Sequence, residues 1–150
     1  MRKIIVLGIG NRLMKDDGIG IYVVEQLGRQ NNMADYELVI GETDLDFCLS
    51  IIREASDKAI IIVIIDAVIS GKQPGDIMFL KIDKLKGSCR GISLHNQTLL
   101  NCISHFGIEI NGFLIGIEPF DITYHFGLSP VLDQKLPEIC GHVTYLLNIL

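Results

Sequence analysis

The sequence lacks the clustered positive charge and the long apolar runs that mark several classes of protein. No run of basic residues and no interleaving of basic with aromatic residues occurs, and the formal net charge at pH 7 is −5. Nucleic acids and anionic membranes are therefore not expected partners. The longest apolar stretch, residues 59–65, has seven residues, whereas a membrane-spanning helix needs about 20. We expect a soluble, monomeric protein without a membrane span.

Cysteine is present but is not spaced for metal binding or redox chemistry. The four cysteines, Cys48, Cys89, Cys102 and Cys140, are 41, 13 and 38 positions apart, so no Cys-x-x-Cys pair exists. We expect free thiols in a reducing, cytoplasmic setting, packed in the core as small apolar groups. No Gly-x-Ser-x-Gly motif surrounds a serine. A serine or cysteine nucleophile is therefore not expected.

Short apolar runs alternate with segments of helical periodicity, which predicts one α/β domain over residues 1–150. The predicted strands are residues 3–9, 37–40, 59–65, 77–82 and 111–117, and the predicted helices are 19–27, 45–55, 93–106 and 129 onward. The third run is apolar at every position, which is typical of a strand covered on both faces. The fourth follows a glycine-proline turn and is expected to return antiparallel at an edge. Together they predict a three-layer α/β/α sandwich around a mostly parallel five-stranded sheet.

Proline and serine positions predict where the later helices begin. Ser93 is the predicted N-cap of the third helix, and Ser129 followed by Pro130 is predicted to start the last one. Pro137 is predicted to kink or restart that last helix, because proline lacks the N–H that a helix interior uses.

Polar residues that directly follow the predicted strands are mostly acidic. They are Asn11, Asp16 and Asp17 after the first strand, Glu42, Thr43 and Asp44 after the second, Asp66 after the third, and Glu118 after the fifth. Functional sites in parallel sheets gather at the carboxyl ends of strands. Carboxylates crowded there need a cation or a proton to offset their repulsion. A cation-binding or acid-base site is therefore expected.

The strongest candidates are two of these carboxylates and one histidine, although each taken alone also has an ordinary structural explanation. One of Asp16 and Asp17 is expected to cap the first helix, and two successive carboxylates exceed what a cap requires. Asp66 follows an apolar run and is expensive to keep charged without a partner, unless it bonds the amides of the next two residues. His95 lies in the first turn of its helix, where a neutral imidazole is favoured. Two carboxylates and an imidazole would suit nickel or zinc.

A dinucleotide site is a weaker interpretation of the first loop. Gly8 and Gly10 are followed by Leu13, where the third glycine of a Gly-x-Gly-x-x-Gly motif would stand. Asp16 and Asp17 at the helix start would repel a pyrophosphate. No organic cofactor is expected.

Five motifs occur in order along nearly the whole chain. They are Gly8-Ile9-Gly10-Asn11 through Asp16-Asp17-Gly18-Ile19-Gly20, then Ile65-Asp66-Ala67, His95-Asn96, Gly116-Ile117-Glu118-Pro119 and Gly127-Leu128-Ser129-Pro130. This set resembles the hydrogenase maturation endopeptidase family. The resemblance implies an α/β sandwich that removes the C-terminal extension of a nickel-iron hydrogenase large-subunit precursor.

The resemblance also implies the site residues. Asp17, Asp66 and His95 match the positions at which the family contacts metal, and Asp17 rather than Asp16 aligns with the acidic ligand. The nickel is expected to arrive within the precursor, so the chain need not hold its own. Gly41-Glu42-Thr43-Asp44 departs from the small-residue loop of many members. Two alternatives stay open: a nickel-binding maturation chaperone without peptidase activity, and a nucleotide-binding α/β protein.

Overall fold

The fold is that of a computed structural model, which describes residues 4–85 and 94–150, with side chains at residues 4–83 and 99–150. The strands are β1 (Ile4–Ile9), β2 (Tyr36–Glu42), β3 (Ile61–Ala67), β4 (Ile77–Lys81) and β5 (Gly112–Ile117). The helices are α1 (Ile19–Gly28), α2 (Leu45–Asp57), α3 (Leu94–His105) and α4 (Pro130–Asn148). Short 3-10 turns lie at Lys15–Gly18 and Ile82–Leu85.

The five strands form one sheet in the order β2-β1-β3-β5-β4. All neighbouring pairs are parallel except β4 with β5, which is antiparallel at the edge. The predicted mostly parallel sheet with an antiparallel edge strand is therefore confirmed. Every residue of β1 and β3 is buried, as expected for central strands with helices on both faces.

Two apolar clusters, one on each face of the sheet, complete the three layers. On one face α1 and α4 contribute side chains such as Val23, Leu27 and Val143. On the other face α2 and α3 contribute Ile52 and Leu99, among others. The predicted α/β/α sandwich is confirmed. Among the described residues, no helix has both the length and the apolar character that crossing a membrane requires.

Two sequence-based boundaries are wrong. Residues 59 and 60 precede β3, since Ala59 has a positive φ of 53° and closes α2, and β3 continues through Asp66 to Ala67. Asp66 therefore lies within the strand rather than after it. Of the two outcomes predicted at Pro137, a restart is wrong, because α4 is one helix on both sides of the proline, and a kink stays a prediction. Buried residues before and after the proline, Leu132 and Ile139, anchor both parts to the core and outweigh the one lost hydrogen bond.

Candidate active site at the carboxyl edge of the sheet

Gly10 lets the turn that carries Asp17 approach the end of β3, where Asp66 lies. Its φ is +135°, and a Cβ placed on it would lie 2.0 Å from the Asp17 carbonyl oxygen and 3.4 Å from Asp66 Oδ1. Only glycine tolerates both this conformation and this approach. The Gly10 N–H donates to the carbonyl of Glu42 at 3.0 Å, which fixes the loop after β1 to the end of β2.

A second close approach seats the start of α1 directly on the sheet. A Cβ on Gly20 would lie 2.1 Å from the carbonyl oxygen of Ile65 and 2.7 Å from that of Ile9. The first turn of α1 therefore rests against the carboxyl ends of both β1 and β3. Since Asp17 directly precedes this turn and Asp66 follows Ile65, the contact sets the two carboxylates at one edge.

Asp66 is fully buried within β3. Its Oδ1 accepts a hydrogen bond from the Ala67 N–H at 2.7 Å, while the Val68 N–H donates to the Ile117 carbonyl at 3.0 Å. A purely structural aspartate was expected to bind the amides of both Ala67 and Val68. Of these two, only the Ala67 amide donates to Asp66. Burial makes the charge of this carboxylate costly unless partners offset it.

Asp17 lies in the 3-10 turn before α1 and is partly exposed. Its Oδ2 accepts from the Asn11 N–H at 3.0 Å, and its own N–H donates to the Met14 carbonyl at 3.0 Å. The carboxylate therefore lies against the loop that leaves β1, beside Gly10.

Neither Asp16 nor Asp17 caps α1, although the sequence predicts that one of them does. The N-cap of α1 is Gly18, which has no side chain to accept a bond. Asp16 is instead fully buried, and its carboxylate accepts from the N–H groups of Phe120, Asp121 and Ser129 at 3.0, 2.9 and 2.7 Å. The Ser129 hydroxyl donates to it as well, at 2.8 Å. These donors lie more than a hundred residues away, so local sequence gave no sign of them.

His95 lies in the first turn of α3, as the sequence predicts. Its side chain is outside the described side chains, and so is the proposed cap Ser93. Convergence of His95 with Asp17 and Asp66 stays a prediction. Farther along α3, Leu99, Leu100 and Ile103 pack on the sheet, which fixes the helix on the face opposite α1.

The other acidic residues at this edge have structural partners. Asp44 caps α2 by accepting the Phe47 N–H at 3.0 Å. Buried Glu118 holds the loop after β3, accepting from the Ser70 N–H and hydroxyl at 2.8 and 2.6 Å and from the Gly71 N–H at 3.3 Å. Glu42 is exposed, 3.6 Å from the Arg12 Nε. Among the described side chains, the buried polar ones are Asp16, Asp66, Glu118 and Ser129, and all four lie at this edge.

Two cations that sequence reasoning missed offset part of the acidic charge. Arg12 forms an ion pair with Glu25 at 2.6 Å, and this hydrogen bond raises the pKa of the guanidinium despite partial burial. Lys15 pairs with Asp121 at 2.5 Å, and its hydrogen bond lowers the pKa of that carboxyl to about 2. Neither pairing has a local sequence signal, because each joins residues from different elements.

Residues 120–126, here called the aromatic segment, expose apolar side chains beside the candidate site. Phe120, Ile122, Tyr124 and Phe126 are 59, 40, 78 and 66% exposed. The backbone of the segment is nevertheless bonded to the loop before α1: the His125 N–H donates to the Leu13 carbonyl and the Lys15 N–H to the His125 carbonyl, at 2.8 and 3.0 Å. Exposed apolar side chains that lie together in this way are common at interaction surfaces.

The described cysteines are free, and two of them are buried as predicted. Burial raises the pKa of the Cys48 and Cys140 thiols to about 11, so neither is a thiolate at neutral pH. Cys102 is partly exposed, and Cys89 lies outside the described residues. A nucleophilic role for Cys48 or Cys140 has no support.

Comparison with known proteins identifies the family. The family model for hydrogenase maturation protease matches residues 21–145, a range that begins just after Asp17. A putative hydrogenase maturation protease of Methanocaldococcus jannaschii is 31% identical over 132 residues, covering 82% of this chain and 76% of that protein. The hydrogenase 2 maturation protease of Escherichia coli K12 is 29% identical over 143 residues, covering 89% and 84%.

Solved structures agree with the sequence relatives. The hydrogenase maturating endopeptidase HybD of Escherichia coli superposes with a TM-score of 0.76 at 25% identity, covering 97% of this chain and 92% of that one. A nickel-iron hydrogenase maturation protease of Thermococcus kodakarensis, at 20% identity and a TM-score of 0.70 over 98% of this chain and 93% of that one, shares the fold. The chain therefore belongs to the hydrogenase maturation protease family and is a peptide hydrolase.

Proposed function

We propose that this protein removes the C-terminal extension of a nickel-iron hydrogenase large-subunit precursor once nickel has been inserted. Family membership supports the reaction class. The observation that supports the site is that the Asp17 turn and Asp66 in β3 both lie against Gly10. Two carboxylates at the carboxyl edge of a parallel sheet are placed where substrates of such folds bind.

Asp17, Asp66 and His95 are the residues proposed to contact the precursor's nickel. The ion belongs to the substrate, and this chain supplies oxygen and nitrogen donors, which suit a borderline divalent metal. Recognition would then depend on the metal state of the precursor. This arrangement needs no resident metal and no organic cofactor.

Hydrolysis of the peptide bond also needs a base for the attacking water. Asp17 is the better placed carboxylate for this role, because it is partly exposed whereas Asp66 is fully buried. The water oxygen bonds to the scissile carbonyl carbon while its proton passes to the carboxylate. The proton then goes to the departing amine nitrogen as the C–N bond breaks. We place this aspartic-type reaction in the cytoplasm, where the free thiols of Cys48 and Cys140 stay reduced.

The aromatic segment is proposed to contact the precursor chain beside the scissile bond. It is joined to the loop before α1 by the Asp16 N–H, which donates to the Asp121 carbonyl at 3.0 Å, and by the His125 bonds. A chain held there would lie next to Asp17. Aromatic side chains supply large contact areas at low entropic cost and dominate many interfaces.

The test uses purified protein with a precursor loaded with nickel or left free of it, and mass spectrometry measures the loss of the C-terminal peptide. We expect cleavage of the nickel-loaded precursor alone. Asp66→Asn and His95→Ala should each abolish cleavage while the far-UV circular dichroism stays native. Asp57→Asn, at the far end of α2, and His142→Ala, exposed on α4, are the matched controls and should cleave normally.

Two outcomes would contradict the proposal. Efficient cleavage of nickel-free precursor would remove the role of the metal in recognition. Tight binding of the nickel-loaded precursor without any mass loss would instead favour a maturation chaperone that uses the same residues.

A further inference from the structure

We infer that Asp16 is a positioning residue that holds the turn bearing Asp17 and the aromatic segment together as one unit. The inference rests on the proposed function for the role of Asp17, and on the hydrogen bonds of Asp16 for everything else. Asp16 would then influence the reaction through Asp17, which a residue that only caps a helix would not do.

The connection is made twice, through the backbone and through the side chain of the same residue. The Asp16 N–H donates to the Asp121 carbonyl at 3.0 Å. Its carboxylate receives the N–H groups of Phe120 and Asp121, on one side of the aromatic segment, and both the N–H and the hydroxyl of Ser129, at the start of α4. The start of the segment and Ser129, three residues beyond its end, are therefore bonded to one buried carboxylate.

The position requires a carboxylate rather than any small polar side chain. All four groups that face Asp16 are donors, and an ionised carboxyl is the side chain that offers two oxygens and no donor. An asparagine has one oxygen, so its NH₂ group would face an N–H group without an acceptor. At an exposed helix N-cap, by contrast, asparagine and aspartate are nearly equivalent.

Movement of Asp16 would be passed directly to Asp17. The two residues are adjacent in the same 3-10 turn, Lys15–Gly18, and the Asp17 carbonyl lies against Gly10. A turn released from the aromatic segment would carry the Asp17 carboxylate away from the Asn11 N–H that it now accepts at 3.0 Å. The distance from Asp17 to Asp66 would change with it.

The experiment compares Asp16→Asn with Leu147→Ala in the full chain. Leu147 is buried in the last turns of α4, about 27 Å along that helix from Ser129 at 1.5 Å per residue. It therefore controls for lost thermal stability without touching the site. Two readouts are measured at a temperature where both variants are folded: kcat with KM for precursor cleavage, and the backbone amide NMR signals of Asn11 and Ala67. These amides donate to Asp17 and Asp66 respectively.

We expect Asp16→Asn to lower kcat at least tenfold and to shift the Asn11 signal, with Ala67 changed little. Leu147→Ala should keep kcat within twofold and leave both signals in place. Ser129→Ala, which removes the hydroxyl donor, should shift Asn11 in the same direction by less, and it serves as the test variant if Asp16→Asn does not fold.

The inference is overturned if the Asn11 signal stays at its wild-type position in these variants, or if kcat falls no further than in Leu147→Ala. Failure of the proposed function looks different. In that case the wild-type protein would not cleave the precursor, or Asp17→Asn would cleave it as well as the wild type does. The Asn11 signal of Asp16→Asn would still report whether Asp16 positions the turn.

Discussion

Replacement of Gly10 by alanine tests how closely the loop after β1 and the turn that carries Asp17 must approach each other. The added Cβ would lie 2.0 Å from the Asp17 carbonyl oxygen, and ordinary contact begins at 3.4 Å, so the loops must separate by 3.4 − 2.0 = 1.4 Å. A misplacement of about 1 Å in a catalytic group costs on the order of 100-fold in rate. The positive φ adds a strain of about 1–3 kcal/mol. We expect kcat/KM to fall about 100-fold in a protein that still folds.

Gly71→Ala is the matched control for this prediction. Gly71 also has a positive φ, +79°, but a Cβ there meets nothing within 4 Å. It therefore carries the backbone strain without the collision. Cleavage of the precursor is followed by mass spectrometry, and thermal unfolding of both variants is followed by circular dichroism. Equal kcat/KM values for the two variants at equal folded fraction would refute the argument that Gly10 sets the spacing of the carboxylates.

Three further outcomes follow from the structure. Serine in place of all four cysteines should leave cleavage within a few-fold after allowance for packing losses, and loss of cleavage in a folded single variant would contradict a mechanism without a thiolate. Tyr124→Ser should raise KM for the precursor and change kcat little. The control is Tyr145→Ser, at an aromatic residue that is 62% exposed on α4, and it should change neither value. Equal KM values for the two variants would show that the aromatic segment does not contact the precursor. Asp121→Asn should lower the melting temperature at neutral pH, because the folded pKa of this carboxyl lies below its ordinary value, at about 2 against 3.8. Stability from its pairing with Lys15 is present above about pH 4 and is lost as pH falls towards 2, so a melting difference that persists below pH 2 would contradict this origin.

The sheet and helices were predictable because their signals are local. Residues 59–65 are apolar at every position, and this marks a central strand whatever surrounds it. Asp66 was predicted to follow the strand, because a polar residue suggests a strand end. The pairing of β3 with β5 in fact continues through Asp66 to Ala67. Ser129 was predicted as a cap and is one, since it accepts the Leu132 N–H at 3.3 Å.

The function of Asp16 could not be predicted, since capping and loop anchoring look alike in a sequence. Its donors come from residues 120, 121 and 129, and no periodicity or spacing links these to residue 16. Glu118 presented the same difficulty, because its partners Ser70 and Gly71 lie in the loop after another strand. Family resemblance favoured Asp17 over Asp16 on alignment alone, and the burial of Asp16 supplies a physical reason for the distinction.

The pairing of the loop before α1 with the aromatic segment also determines when the site can form during folding. Asp17 is synthesised more than a hundred residues before the groups that hold its turn, which come from residues 121, 125 and 129. Contacts of such long sequence separation form late, after the loop between them has closed. A nascent chain therefore contains both carboxylates well before it can hold them in place. The turn that carries Asp17 can therefore take its final position only after residues 120–129 have folded against it.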